Sequence, residues 1–402
     1  MRFALSEEQN EFSEAVRGLL GDTCGPDAVR AAWPDAELAG GGPGNGNGRV
    51  PKAWSALGEM GVLGITVPEA FGGLGMNYED LSPLLLEAGR VALPDPLSAT
   101  AGVAVGALTA ALASASNSAS GVGEASVERI EGLLSEIAAG SLSVGVLFGA
   151  CEDSPSHGVA GTIDAGHGDS GRADAGRGDS GQLDIAQSNI VAGAASLDVF
   201  LAFTAGEVLL IERSAVQLDA LESVDGARCL STVTWEDTGV ERLLSGEAAA
   251  VATADAFDRA ALGAASELLG LSRTMLEMAV GYATERRQFG VPIGTFQAVK
   301  HQLSNASLKV EFCEPLIMRA AHSIATGDPN QSTNVSMAKS KMSTAALEAA
   351  ATALQVHGAI GYTVECDLHL FMKRTWALAR EYGDSDFHRS RVRSWLRLDR
   401  VG

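Results

Sequence analysis

The sequence predicts a multi-domain α+β protein, in which helical ends flank a middle β-domain. Helical periodicity dominates the first and last thirds, whereas the middle third has short β-branched and aromatic runs bounded by Gly, Asp and Ser. The chain has 402 residues, too many for one ordinary core, and its 46% hydrophobic content can fill several. We expect an N-terminal helical domain over 1–140, a β-domain over 141–250 and a C-terminal four-helix bundle over 251–402.

The first helix is indicated by a capping pattern and by apolar spacing. Ser6 followed by Gln9 is typical of a helix start, and Phe12 and Val16 continue at helical intervals. The apolar stretch around 99–115 is rich in Ala, Gly and Thr, so we expect it to be too weakly apolar for a membrane-spanning helix. The first residues contain no apolar signal core, which favours a cytoplasmic protein.

The middle third carries the strand signals and one duplicated segment. The predicted strands are Val144–Phe148, Val199–Phe203, Val208–Ile211 and Thr232–Trp235. A Gly-rich insertion over 160–182 repeats the pattern Asp-Ala-Gly-x-Gly-Asp-Ser-Gly. Because this insertion has little apolar surface to bury, we expect it to be loosely ordered.

The last third returns to helical spacing. Periodicity resumes at Asp255, and the pattern predicts one helix over Phe296–Ala325 and another over Val335–His357. Together with the helix that begins near Asp255, these segments predict the bundle.

Charge and cysteine content exclude several classes of function. The formal net charge is −21, which argues against nucleic acid and anionic membrane surfaces as partners. The five cysteines form no CxxC pair, so we expect reduced thiols and no metal site. A local group of arginines can still bind a phosphate-bearing ligand.

Two motifs in the last third suit such a ligand. In the first, 282–297, Arg286 offers a guanidinium fork for phosphate oxygens, Gly290 permits a sharp turn, and Gln297 can hydrogen-bond to a ligand. In the second, Gln355 and Gly358 stand at the end of an apolar helix, where the backbone can approach a ligand closely.

These motifs resemble the two signatures of the acyl-CoA dehydrogenase family, and 54–73 is similar to the family's opening pattern. The resemblance covers most of 1–110 and 240–400, with three motifs in the right order. It implies FAD bound across a subunit interface by Arg286, Gln288, Phe289, Gln297, Gln355, Gly358 and Ala359. Ala359 stands where the family has a second Gly, which alanine can replace only if that position needs no positive φ.

The resemblance also implies a reaction and partners. The expected enzyme dehydrogenates an acyl-CoA thioester at its α and β carbons, passes electrons to an acceptor flavoprotein, and works as a homo- or hetero-tetramer with a related subunit. The alternative is a non-catalytic subunit that contributes FAD contacts to a heteromeric acyl-CoA dehydrogenase. Heteromers in this family act on bulky steroid-derived thioesters.

The catalytic base stays open between several carboxyls. In the loop 380–386 Tyr382 occupies the slot where the family most often has its Glu, and Glu381 comes one residue early. Some relatives place the base on the first bundle helix, where Glu267 lies in an apolar run and Asp258 is also present. Glu267, Glu381 and Asp386 are therefore candidates, and a further possibility is that this subunit has no base.

The β-domain departs from the family's flavin-facing pattern. The segments 149–154 and 187–193 occupy the places of two family segments that lie against the flavin ring. Neither contains the stacking Trp or the Thr hydroxyls that the family has there. Flavin contact from this chain's own β-domain is therefore in doubt.

Overall fold

The computed structural model describes residues 4–35, 46–115, 124–149, 190–204, 206–235 and 238–396. The duplicated insertion at 160–182 lies outside these residues, as do most of 149–154 and part of 187–193. Within the described ranges, helices precede and follow two β-sheets, as the sequence predicts. The domain boundaries expected at 140 and 250 stay predictions.

The N-terminal part consists of helices packed on a shared apolar core. They are α1 Glu7–Thr23, α2 Pro26–Ala31, α3 Pro51–Glu59, α4 Tyr78–Arg90, α5 Val105–Ala115 and α6 Glu124–Ala138. The predicted start of α1 is confirmed: the Gln9 backbone N–H donates to Ser6 Oγ at 3.1 Å, and the Ser6 N–H donates to Gln9 Oε1 at 2.9 Å. These two bonds satisfy donors that a helix N-terminus otherwise leaves free.

A π-helical segment, Ser98–Ala104, runs directly into α5. By length and composition alone the combined stretch Ser98–Ala115 could cross a membrane, with a mean hydropathy of 1.5. The expectation that it is too weakly apolar was therefore wrong. Half of the stretch is buried within the protein, and α5 packs against α6 and α7, so in this fold its residues contribute to the core.

Two sheets form the middle of the molecule. Their strands are β1 Val144–Phe148, β2 Ile190–Val191, β3 Val199–Phe203, β4 Glu207–Glu212, β5 Val216–Ala220, β6 Ser231–Trp235 and β7 Val240–Ser245. One sheet has the order β1-β3-β4-β7, with β1 and β3 parallel, and the other the order β2-β6-β5. Phe200, Ile211 and Val233 are fully buried in the cluster between them. The four predicted strands are confirmed, whereas β2, β5 and β7 were not predicted.

The C-terminal helices form the largest part of the fold. They are α7 Gly246–Glu285, α8 Gln297–Glu311, α9 Glu314–Thr326, α10 Gln331–His357, α11 Leu368–Leu378 and α12 Ser385–Trp395. The single helix predicted over Phe296–Ala325 was wrong, because the chain breaks into α8 and α9 just before Pro315, which lies in the first turn of α9. α7 also begins before Asp255, where periodicity first becomes clear.

Two helices of the bundle, α7 and α10, run parallel. Near their starts Gln331 donates to Asp255 at 2.9 Å, and at their ends the His357 ring stacks on Tyr282. α4 crosses α7 with the backbones in close contact, since a Cβ on Gly89 would lie 2.1 Å from the carbonyl oxygen of Glu267. This packing fixes Glu267 at the crossing of the N-terminal helices and the bundle.

Candidate cofactor and catalytic site

A short hairpin follows α7 and exposes an aromatic side chain. β8, Arg287–Gln288, pairs with β9, Val291–Pro292, and the turn residues Phe289 and Gly290 have φ of 51° and 83°. Left-handed residues at both turn positions match the twist of a two-residue hairpin, although the conformation strains a phenylalanine. The Phe289 side chain is 92% exposed. A strained, exposed aromatic residue indicates a contact surface for another molecule.

The same end of the bundle carries exposed positive charge. Arg286 follows directly after α7, and both it and Arg287 are exposed. Neither guanidinium forms an ion pair with any residue in the described ranges, although the chain as a whole is strongly acidic. Gln288 is exposed beside them, and Gln297 is the exposed first residue of α8. These groups can meet a phosphate-bearing ligand without breaking an internal contact.

The second motif ends α10. Gln355 is exposed in its last turn, and Gly358 has φ 65° and ψ −140°, a conformation that glycine adopts far more readily than other residues. Ala359 follows in a 3₁₀ turn, Gly358–Tyr362, and does not have a positive φ. The position therefore accepts alanine in place of the family's second glycine.

Aromatic contacts bring the two motifs together. The Tyr282 and His357 rings stack with centroids 4.7 Å apart, and the Phe289 and Phe296 rings meet edge to face at 6.2 Å. The first contact joins the ends of α7 and α10, and the second joins the hairpin to the start of α8. The residues predicted to contact the cofactor, Arg286, Gln288, Phe289, Gln297, Gln355, Gly358 and Ala359, thus share one end of the bundle. We call this region the cofactor surface.

Glu267 is the candidate base that no described residue engages. Its side chain is half-buried on α7 and makes no hydrogen bond or ion pair with the part of the chain that the structure describes. Burial raises the pKa of Glu267 to about 7, although Arg374 favours the charged form. A carboxyl group with a pKa near neutrality can both take up and release a proton under working conditions.

The other acidic candidates are engaged. Glu381 accepts a hydrogen bond from the buried Arg228, and the exposed Asp386 pairs with Arg389 at 2.8 Å. Asp258 is buried, and Arg391 donates to it at 3.1 Å. Among the described residues there is no group of three or more His, Cys, Asp or Glu side chains that could hold a metal ion.

A pair of buried arginines, which the sequence analysis missed, lies near Glu267. Arg374 on α11 forms an ion pair with Asp225 and donates to the carbonyl oxygen of Leu93 at 2.7 Å. The charges of Arg374 and Arg228 both lower the pKa of Glu267. Asp225 and Arg374 are 149 residues apart, so no local sequence signal announces their pairing.

The turn after α11 is held from two sides. Tyr382 and Gly383 have φ of 54° and 94°, and the His388 Nε2–H donates to the Tyr382 carbonyl at 2.9 Å. The fully buried Lys339 ammonium donates to the Gly383 carbonyl at 3.1 Å and to two carbonyls at the end of α11. Burial lowers the pKa of Lys339 to about 7. These bonds keep a phenol, packed edge to face on Phe148, in the slot where the resemblance predicts a carboxylate.

The cofactor surface and Glu267 are far apart on one chain. Glu267 lies on α7 and Arg286 follows directly after this helix, so the rise of an α-helix places the two residues about 28 Å apart along its axis. One long helix thus separates Glu267 from the cofactor surface of the same chain.

This arrangement, with two exposed cofactor motifs at one end of a bundle that follows a β-domain, is that of a flavin-dependent dehydrogenase. The N-terminal domain profile of acyl-CoA dehydrogenases matches residues 6–119, and their C-terminal domain profile matches residues 249–396. Between them the two profiles match more than half of the sequence. The chain belongs to the acyl-CoA dehydrogenase family.

Individual relatives agree with this assignment. Acyl-CoA dehydrogenase IpdE2 of Mycobacterium tuberculosis is 28% identical over 375 residues, which cover 93% of this chain and 92% of that protein. The ChsE4–ChsE5 complex of Mycobacterium tuberculosis contains a chain with the same fold, at a TM-score of 0.72, 20% identity and 99% coverage of both chains. The FAD complex of PigA matches at a TM-score of 0.72 and 18% identity, covering 99% of this chain and 100% of that one.

Proposed function

We propose that this chain is a subunit of an oligomeric acyl-CoA dehydrogenase that uses FAD to introduce a double bond between the α and β carbons of an acyl-CoA thioester. The observation that carries the proposal is that both cofactor motifs lie in one exposed surface. Arg286 in this surface is about 28 Å from Glu267 along the axis of α7. Because of this separation, the cofactor surface of one subunit would complete a site that lies mainly on its neighbour.

The residues of the cofactor surface fit FAD. Arg286 provides a guanidinium that no described residue pairs with, which suits the pyrophosphate, and Gly358 leaves its backbone open to close approach. Gln297 and Gln355 present exposed amides that can donate to and accept from the cofactor. FAD, when bound, accepts the hydride that leaves the β-carbon of the thioester.

Glu267 would supply the proton chemistry if this chain has its own active site. Its carboxylate would take the α-proton of the thioester while the hydride leaves the β-carbon, so the substrate loses one proton and one hydride and gains a C=C bond. A pKa near 7 matches that role, because the carboxylate is available at neutral pH and still holds the proton afterwards.

A second candidate function is that of a non-catalytic subunit in a heteromer. Two observations favour it: Tyr382 is fixed in the usual base slot, and Glu381 is engaged by Arg228. A phenol is a poor base at neutral pH, and burial raises the pKa of Tyr382 further above its ordinary value. The known structure of the same fold from the ChsE4–ChsE5 complex supports such an assembly.

We also propose a wider setting for the reaction, which structural relatives support. A structure of a steroid acyl-CoA dehydrogenase, Tcur3481–Tcur3483, also shares the fold, which supports steroid-derived thioesters as substrates. The electron acceptor would be a second flavoprotein, and the assembly would be a cytoplasmic tetramer.

Arg286→Ala is expected to weaken FAD binding by the assembly about tenfold or more, because a hydrogen bond to a charged group contributes about 1.5–3 kcal/mol. Equilibrium dialysis of FAD against the purified assembly measures the effect. Lys341→Ala serves as a control, since it removes one exposed positive charge from the middle of α10. Equal FAD affinity in Arg286→Ala and in the unaltered protein would refute the assigned contact.

Turnover measured with and without a related subunit separates the two candidate functions. The purified chain alone is expected to oxidise acyl-CoA thioesters poorly, and co-expression with a related chain from a neighbouring gene should restore activity. Glu267→Gln in the active assembly then shows whether this carboxyl is the base. Loss of most activity assigns the proton transfer to Glu267, whereas full activity places the base on the partner. Full turnover by the chain alone would exclude the heteromer.

A further inference from the structure

The stacked pair Tyr282 and His357 stands between the two halves of the cofactor surface. Tyr282 lies one helical turn before Arg286, and the Arg286 backbone N–H donates to the Tyr282 carbonyl at 2.8 Å. His357 is the last residue of α10 and directly precedes Gly358. Each ring therefore adjoins one half of the surface, although neither belongs to the predicted contact residues.

The orientation of the His357 ring is fixed. Its Nδ1–H donates to the Ala353 carbonyl at 2.8 Å, and the side chain is 94% buried by the surrounding helices, with 6% exposed. The turn that follows folds back onto it, since a Cβ on Gly361 would lie 3.0 Å from the His357 Cβ. The imidazole can thus rotate little, and its planar face is held against Tyr282 with an angle of 24° between the rings.

Tyr282, the other ring of the stack, is equally constrained. Tyr282 is half-buried and packs against the main helical core. The backbone N–H of Ile293 donates to the carbonyl oxygen of Arg286 at 2.8 Å, and this hydrogen bond closes the hairpin. The phenol ring and the Arg286 backbone are therefore parts of one rigid unit. A change in the ring contact would move Arg286 relative to Gly358.

We infer that Tyr282 and His357 form a positioning pair that sets the spacing between Arg286 and the Gln355–Gly358 turn for FAD. This inference rests on the proposed FAD contact of Arg286. The pair acts through the aromatic stack, since offset-stacked rings attract beyond their buried area. Neither ring needs to touch the cofactor.

The test measures FAD affinity in variants that keep or remove one ring. His357→Ala is expected to raise the FAD dissociation constant of the assembly about two- to tenfold, the range of an aromatic pair. His357→Phe keeps a ring but loses the bond to Ala353, and should retain nearly the original affinity. Tyr282→Ala should resemble His357→Ala, and the double variant should lose less than the combined effect of both.

Controls separate positioning from general weakening of the fold. Binding is measured well below the melting temperature of each apo-variant, and the visible spectrum of bound flavin is recorded. If His357→Phe loses as much affinity as His357→Ala, the stack is not the positioning element and the inference fails. If Arg286→Ala weakens binding and His357→Ala does not, the inference fails while the proposed function stands. If neither variant changes the affinity, both fail.

Discussion

Arg374→Met is expected to lower the free energy of unfolding by about 3–5 kcal/mol, the cost of removing one partner from a buried ion pair. The substitution leaves the Asp225 carboxylate without its guanidinium and the Leu93 carbonyl without its donor. Both residues of the ion pair are buried by the fold, with 5% and 3% of their surfaces exposed. Urea unfolding followed by circular dichroism measures the loss.

Two further variants test whether the broken buried ion pair causes the loss of stability. Arg374→Met combined with Asp225→Asn should recover part of the stability, because the uncompensated charge is gone. Arg389→Met removes an arginine whose ion pair with Asp386 is exposed, and should change stability little. A similar loss in the Arg374 and Arg389 variants would show that burial of the ion pair is not the reason.

Glu267→Gln is expected to stabilise the folded protein at pH 8 by up to about 3 kcal/mol, and to give no such gain at pH 4.5. The ordinary pKa of this carboxyl is 4.5, and burial raises it to about 7. Between these values the folded state binds more protons than the unfolded state, so stability falls as the pH rises from 4.5 to 7. Glutamine has a similar shape and carries no charge, which removes this pH-dependent loss.

Thermal and urea unfolding at several pH values between 4.5 and 8 provide the measurement. Glu285→Gln is a matched control, since this exposed carboxyl lies at the end of the same helix and its replacement should alter stability little. The expectation fails if the stability of Glu267→Gln and that of the unaltered protein vary with pH in parallel. The experiment needs no substrate, so its outcome is independent of which subunit carries the base.

Local patterns predicted most of the fold. Ser6 and Gln9 marked the first helix, and apolar and aromatic runs such as Val199–Phe203 marked central strands, because capping and strand propensity are short-range effects. β5, with alternating polar residues and an exposed face, was missed since its pairing with β6 supplies much of its support. Pro315 was a usable signal for the break between α8 and α9, and was overlooked.

The candidate site, like the fold, combines local features that the sequence predicts with long-range contacts that it does not. The cofactor motifs are local, so Arg286 and Gly358 could be identified as candidates from their sequence context, whereas the ring contact that brings their segments together could not. The surroundings of Glu267 could not be predicted, because Arg228 and Arg374 reach their partners across distant segments. Burial of such cations depends on tertiary packing, and long charged side chains are ordinarily expected at the surface.

The length of α7, 40 residues, separates Glu267 near its middle from Arg286 directly after its end, so natural selection can treat the two regions separately. In the proposed assembly a substitution near Glu267 affects the chemistry of one site, whereas a substitution near Arg286 affects the cofactor of another. After duplication of the gene, one copy can lose its base and the other its cofactor surface without loss of the shared reaction. A pair of complementary half-enzymes is then inherited in place of one complete enzyme.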